Sequence, residues 1–160
     1  AASDVYKRQT LHSVYRHANN EKIDNYIQKN RKNDNAFFYK KGSESAKSMI
    51  KAIKQNEDLA LLIDQRDSSG LEIDFFGKKA LATDGFANLA IKYKTMICPV
   101  YSIRNQNSTF QIIFEKPMRY EQYKNYNIKE FVETIHKKYF EKWITHSPAQ
   151  WLWVHQRWKL

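Results

Sequence analysis

Two side chains able to bind a hydroxyl group, Asp64 and Gln65, directly follow the aliphatic segment 59–63. An aliphatic run of that length predicts a strand that is covered on both faces. In α/β proteins, the loops that follow such strands carry ligand-binding residues. We therefore expect Asp64, with Gln65 beside it, to form hydrogen bonds to a ligand. The alternative is that Asp64 only begins a solvent-exposed loop.

Basic and aromatic residues alternate near the end of the chain, where segment 151–159 reads WLWVHQRWK. Tryptophan is enriched where proteins meet a membrane interface, and arginine and lysine pair there with lipid phosphates. The pattern predicts that Arg157 and Lys159 lie near lipid headgroups. A helix that buries its indoles in the core has the same pattern, and the two arrangements are compatible.

Arg31 ends a predicted helix that begins at Glu21, with Asn20 as its cap. A cation in the last turn is favoured by the helix dipole, and it can equally point at an anion. The position by itself favours the dipole interpretation. The spacing of apolar residues predicts that the buried face of this helix consists of Ile23, Tyr26 and Ile27.

Helical and strand-like segments alternate along the chain, which predicts an α/β fold with a mixed sheet flanked by helices. The interval 32–41 is predicted to be a loop that contains an aromatic insert. Strands are predicted over 11–16, 59–63, 73–76, 96–104 and 109–115. A polar loop is predicted before the strand 73–76, and the turn residues 105–108 predict that the last two strands form a hairpin. Helices are predicted over 21–31, 42–55, 83–93 and 128–145.

Composition limits the function classes without choosing among them. With 160 residues, 42% of them hydrophobic, the chain can form one modest domain. The net charge of +10 attracts polyanions such as nucleic acid, anionic lipid, phosphorylated sugars or an acidic carrier protein. Cys98 is the single cysteine, and no Cys and His spacing typical of a metal site is present. We expect neither a metal nor a cofactor.

Several motifs together resemble a known family, the lipid A biosynthesis acyltransferases. They are IDQRDSSGLEIDFFG from Ile63, the helix start at Thr83, Ile97 to Val100, and the ending SPAQWLWVHQRWK. The chain is similar to the late, Kdo-dependent lauroyl- and myristoyl-transferases of Gram-negative bacteria over residues 11–159. The resemblance implies a glycerolipid-acyltransferase-like fold. It also implies transfer of a fatty acyl chain from acyl carrier protein, as co-substrate, to a hydroxyl of a lipid A precursor.

The same resemblance implies further site residues and a location. Tyr15 and Arg16 match a block in which related glycerolipid acyltransferases hold a phosphate with an arginine, whose planar fork suits that anion. Asp64 aligns with an acid of the family. Phe75 and Phe76 are expected to pack in the core, and more weakly to line an acyl groove. The implied partners are acyl carrier protein, a phosphorylated glucosamine lipid and an anionic membrane surface. The implied location is the cytoplasmic face of the bacterial inner membrane.

The general base of the family is the histidine of an H-x4-D/E motif, upstream of the segment matched by Tyr15. The resemblance therefore implies a C-terminal fragment that lacks this motif and is inactive alone. Residues 1–9 would be a non-native tail, and 10–160 the later part of a single acyltransferase domain. His136 and Glu141 have the motif's spacing. They fall inside a predicted α-helix, where residues five apart do not share a face, so we do not expect them to be catalytic.

Two other functions remain open from the sequence. The charge and the aromatic residues are compatible with a basic nucleic-acid-binding module, although no recognised nucleic-acid-binding motif is present. The chain can also be a remnant that binds the acceptor lipid without acylating it.

Overall fold

The computed structural model describes residues 10–15, 18–31, 35–154 and 156–158. The chain divides into two compact units, residues 1–61 and 62–160. Each unit combines helices with strands, so the predicted α/β fold class is confirmed. The strands of the described residues are divided among three small sheets, one parallel and two antiparallel.

The first unit contains a parallel three-stranded sheet in the order β2-β1-β3. Its strands are β1 (Leu11–Tyr15), β2 (Ala36–Lys40) and β3 (Asp58–Ala60). Parallel neighbours need a crossover connection, and helices α1 (Glu21–Arg31) and α2 (Ser43–Lys54) lie in the two connections. The unit is therefore a short β-α-β-α-β arrangement.

Two sequence predictions in this unit are wrong. The interval 32–41 was predicted to be a loop, but Ala36–Lys40 pairs with β1 along its whole length. The rings of Phe37 and Tyr39 stack on His12 of β1 at centroid distances of 5.2 and 5.8 Å, contacts that stabilise this pairing. The strand predicted over 59–63 ends at Ala60, and Leu62 is 81% exposed.

Helix α1 begins as predicted but buries a different face. The Asn20 side chain accepts a hydrogen bond from the backbone N–H of Lys22 at 3.0 Å, which confirms the cap. Of the predicted inner face, Ile23 and Tyr26 are exposed. Asp24 is buried instead, because its carboxylate accepts a hydrogen bond from the backbone N–H of Ala18 at 2.9 Å. The need to satisfy that carboxylate, rather than apolar burial, sets the orientation of the helix.

The second unit begins with an antiparallel hairpin of β4 (Arg66–Phe75) and β5 (Lys78–Ala82). The sequence predicted strand only over 73–76 and loop before it. Residues 66–72 belong to β4 as well, interrupted by a bulge between Arg66 and Leu71. Gly70 lies in this bulge, and a Cβ there would overlap the carbonyl oxygen of Ala82 on β5.

The rest of the second unit includes a long C-terminal helical segment that packs on β4. It also contains α3 (Gly85–Tyr93), then a second hairpin of β6 (Val100–Arg104) and β7 (Phe110–Phe114), as the turn residues 105–108 predicted. The long helix predicted over 128–145 consists of α4 (Ile128–Ile135), a π-helical turn (His136–Glu141) and α5 (Lys142–His146). The core of the unit consists mainly of Ile73, Phe75, Ala80, Phe131, Val132 and Ile135.

Candidate functional site

Arg157 lies at the centre of an aromatic corner in the second unit. Only 1% of the residue is exposed. Its guanidinium lies 5.5 Å from the ring centroid of Phe75, and its Nη2 donates a hydrogen bond to Nε2 of His136 at 2.9 Å. Its Nε and Nη1 are also buried and have no hydrogen-bond partner within the described part of the chain. Burying a cation with two unsatisfied donors costs folding free energy, and such an arrangement is a candidate functional site.

The π-helical turn carries the acceptor for Arg157. His136 Nδ1 donates to the carbonyl oxygen of Val132 at 2.8 Å, so Nε2 holds the lone pair that receives the arginine. Burial lowers the pKa of His136 to about 4; the bond to Val132 opposes this shift, and the charge of Arg157 adds to it. The imidazole is therefore neutral at physiological pH and serves as a hydrogen-bond acceptor.

Asp64 lies within electrostatic range of Arg157. Burial lowers the pKa of the Arg157 guanidinium, and the negative charge of Asp64 raises it again. Asp64 is half-buried, and its neighbour Gln65 is exposed. The fold thus brings together two residues predicted from the sequence as ligand contacts, although 92 positions separate them.

An open groove of about 410 Å³ adjoins this corner and is lined by Phe76, Lys78, Trp153 and Trp158. Trp158 is fixed in place because its indole N–H donates to the carbonyl oxygen of Phe75 at 3.0 Å. Phe76 is 38% exposed and so contributes to the groove wall. Phe75 is fully buried and stacks on Trp158, as expected for a core residue, and it does not line this groove; its part in an acyl groove stays a prediction.

The surface position expected for Arg157 is also wrong. The sequence pattern placed it among lipid headgroups, but its guanidinium is enclosed by His136 and the ring of Phe75. Its role in substrate binding stays a prediction. Lys159, expected beside it, lies outside the described residues.

His136 and Glu141 have structural partners. The sequence argument assumed α-helical geometry, but a π turn brings residues five apart next to each other. His136 is fully buried and bonded at both nitrogens. Glu141 accepts a hydrogen bond from the backbone N–H of Phe76 at 2.7 Å, which ties the turn of the first hairpin to the helix. That neither residue is catalytic stays a prediction, and these contacts are in its favour.

Two further predicted site residues, Tyr15 and Arg31, lie in the first unit. Burial raises the pKa of Tyr15, the carboxylate of Asp24 raises it further, and Arg31 opposes both effects. Tyr15 and Arg31 are therefore close enough to interact electrostatically. The Arg31 guanidinium lies 5.7 Å from the ring centroid of Phe38, a cation–π contact that the sequence did not predict. Arg16 lies outside the described residues.

Sequence reasoning missed three residues of the groove wall, Lys78, Trp153 and Trp158. Lys78 directly follows the Phe-Phe-Gly turn, so recognising the hairpin would have placed it beside Phe76. Among the residues that the structure describes, no cluster of His, Cys, Asp and Glu has the composition of a metal site. Within the same residues, no helix has the length and apolar character needed to cross a bilayer.

Comparison with known proteins agrees with the resemblance seen in the sequence. The protein family described as bacterial lipid A biosynthesis acyltransferase matches residues 5–160. The match begins inside the segment 1–9 predicted to be a non-native tail, and that division stays a prediction. A search of curated proteins found no match. Because the family match covers almost the whole chain, this protein belongs to the bacterial lipid A biosynthesis acyltransferase family.

Proposed function

We propose that this chain takes part in moving a fatty acyl group from acyl carrier protein to a hydroxyl of a phosphorylated glucosamine lipid. In this proposal, the second unit holds the acceptor lipid. The observation that carries it is the arrangement of a half-buried carboxylate, Asp64, near a buried cation, Arg157, beside an apolar groove with Lys78 in its wall. Acyltransferase activity is the activity for which the family is named.

Asp64 is proposed to accept hydrogen bonds from sugar hydroxyls of the acceptor, with Gln65 as an additional partner. An ionised carboxylate has acceptor oxygens and no donor, so it suits hydroxyl groups that donate, and the positive charge of Arg157 attracts it. Arg157 therefore acts as a positioning residue, whose positive charge attracts the Asp64 carboxylate.

The groove is proposed to receive one hydrocarbon chain of the lipid. Its walls are the aromatic faces of Phe76, Trp153 and Trp158, which suit an apolar chain, and Lys78 supplies a cation for a phosphate. Tyr15, Arg16, Arg31 and Lys159 remain proposed anion or substrate contacts. The proposed location is the anionic cytoplasmic face of the inner membrane, which the net charge of +10 favours.

Binding of a phosphorylated glucosamine disaccharide lipid in detergent micelles tests the proposal. Trp153 and Trp158 line the groove, so their fluorescence reports occupancy. We expect Asp64→Asn to weaken binding about tenfold or more, the value of a hydrogen bond to a charged group. Lys78→Gln should weaken binding as well. Lys79→Gln is the matched control, because Lys79 is the next residue on β5 and pairs with Glu72 at 3.4 Å.

A second comparison distinguishes a positioning role of Arg157, acting through Asp64, from a role in the stability of the fold. Arg157→Lys should reduce glycolipid affinity when Asp64 is present and have little effect in the Asp64→Asn background. Equal effects in both backgrounds would assign Arg157 a purely structural role. Unchanged affinity in Asp64→Asn and Lys78→Gln would refute the site. Acyl transfer from acyl carrier protein to the lipid, detected by mass spectrometry, tests the reaction itself.

A further inference from the structure

Three consecutive apolar side chains are exposed after the 3₁₀ turn Pro148–Gln150. Leu152 is 69% exposed, Trp153 is 53% exposed and Val154 is 85% exposed. We call Leu152–Val154 the apolar lip. Single exposed apolar residues are ordinary, but a contiguous patch marks a surface that meets an apolar partner.

The apolar lip is held in a defined conformation. The indole N–H of Trp153 donates to the carbonyl oxygen of Pro148 at 2.7 Å, and its ring stacks on Trp158 at a centroid distance of 6.4 Å. The backbone N–H of Trp153 donates to the carbonyl oxygen of Trp151 at 3.0 Å. With its polar atom bonded to protein, the indole presents an apolar face to whatever covers it.

A second apolar surface lies beside the start of the lip. The Gln150 side chain accepts from the backbone N–H of Arg104 at 2.8 Å and donates to its carbonyl oxygen at 3.2 Å. This clamp fixes the segment before the lip to the end of β6. Phe110 faces Arg104 across the hairpin, and Ile112 lies two residues further on the same face; they are 66% and 63% exposed.

Charge favours an anionic bilayer as the partner. Lys78 lines the groove together with Trp153 of the lip, and Arg104 adjoins the hairpin face. Two copies of this chain would bring together two net charges of +10, which disfavours self-association through this surface. Anionic lipids attract the same charge, and exposed tryptophan and aliphatic side chains partition into the interfacial region of a bilayer.

We propose that the apolar lip, together with Phe110 and Ile112, inserts into the interfacial layer of an anionic lipid bilayer. Trp153 belongs to both the lip and the wall of the groove, so the groove would open towards the bilayer. A hydrocarbon chain then enters the groove from the lipid phase without crossing water. This inference rests on the proposed function, whose acceptor is a membrane lipid.

Co-sedimentation with vesicles tests the inference. The vesicles are either phosphatidylcholine alone or phosphatidylcholine with phosphatidylglycerol, which is anionic. We expect the chain to bind the anionic vesicles. The double variant Leu152→Ser/Val154→Ser should bind them about tenfold or more weakly, because two apolar side chains that the bilayer would bury are replaced by polar ones. Ala149→Ser is the matched control, because Ala149 is exposed in the same segment. Brominated lipid should quench the fluorescence of the wild type and quench Trp153→Phe less.

The possible outcomes each decide the matter. The inference is overturned if the wild type does not bind anionic vesicles, or if the double variant binds as the control does. It is also overturned if the lip instead mediates a dimer, seen as a concentration-dependent mass that the double variant loses. Failure of the wild type to bind anionic vesicles, with intact micellar glycolipid binding, would remove only this inference. The reverse result, in which the wild type binds anionic vesicles but Asp64→Asn and Lys78→Gln both leave micellar glycolipid affinity unchanged, would remove only the proposed function.

Discussion

Acid destabilisation of the second unit should depend on His136. In the folded chain the pKa of His136 is lowered to about 4 from its ordinary value of 6.5, chiefly by burial. Above the ordinary pKa the imidazole is uncharged in both the folded and unfolded states, so it does not change the free energy of unfolding. As the pH falls below 6.5, the unfolded chain takes up a proton that the folded chain does not, and unfolding becomes more favourable. The loss levels off below the folded-state pKa.

The magnitude follows from the two pKa values. Each unit of difference is worth about 1.4 kcal/mol once the pH lies below both values. Between about pH 7.5 and about pH 5, the proton uptake of the unfolded state alone lowers the free energy of unfolding by about 2 kcal/mol. This is a large share of the stability of an ordinary domain, which is about 5–15 kcal/mol.

His136→Gln isolates this contribution. The glutamine oxygen can accept the hydrogen bond from Arg157 but does not titrate. All four tryptophans lie in residues 143–158, so urea unfolding followed by tryptophan fluorescence reports the second unit. We expect the loss of stability between the two pH values to be about 2 kcal/mol smaller in His136→Gln than in the wild type.

His146→Gln is the control, because it makes the same substitution at an exposed histidine at the end of α5. Identical pH dependence in the wild type and in His136→Gln would refute the reasoning. It would mean that the imidazole is already protonated when folded, and that it does not serve as the acceptor for Arg157.

Three further substitutions test the fold. Gly70→Ala should cost about 1–3 kcal/mol because the added methyl overlaps β5, whereas Gly85→Ala has only ordinary contacts; equal urea midpoints would contradict the bulge. Asn127→Ala removes the capping box of α4 and should lower the free energy of unfolding by about 1 kcal/mol; an unchanged midpoint would exclude the cap. Tyr39→Phe removes the 2.9 Å bond to His12 and should cost about 1–3 kcal/mol, read from amide exchange in β1; unaltered protection would argue against that bond.

Local patterns predicted those elements whose cause is local. Asn20 was predicted as a cap from its residue type and position, and its side chain accepts hydrogen bonds from the backbone of the first turn of α1, two and three residues away. The β6–β7 hairpin was predicted from its turn residues, and the long C-terminal helix from its apolar period. Each of these signals lies within one short window of sequence.

The wrong predictions share a dependence on distant partners. β2 is a strand because β1 pairs with it, and the polar interval around it has no strand period of its own. Asp24 displaces Ile23 from the inner face of α1 because it finds partners outside the helix. No local pattern distinguishes the π turn at His136 from an α-helical one.

The candidate site was predicted in part. Asp64 was identified from its place after an aliphatic segment, and the structure puts it near Arg157. The burial of Arg157 was not predictable, because charge in a basic segment normally indicates surface. Three groups from remote parts of the sequence compensate it: the ring of Phe75, the neutral imidazole of His136 and the charge of Asp64.

Photo-crosslinking tests most directly the claim that the groove lined by Phe76, Lys78, Trp153 and Trp158 binds the acceptor lipid. The probe is a phosphorylated glucosamine disaccharide lipid with a diazirine in one acyl chain, mapped on the chain by mass spectrometry. Our account predicts crosslinks to Phe76, Trp153 and Trp158 that unlabelled glycolipid suppresses and that Asp64→Asn reduces. Crosslinks confined to residues 10–61, or labelling that unlabelled glycolipid does not suppress, would contradict it.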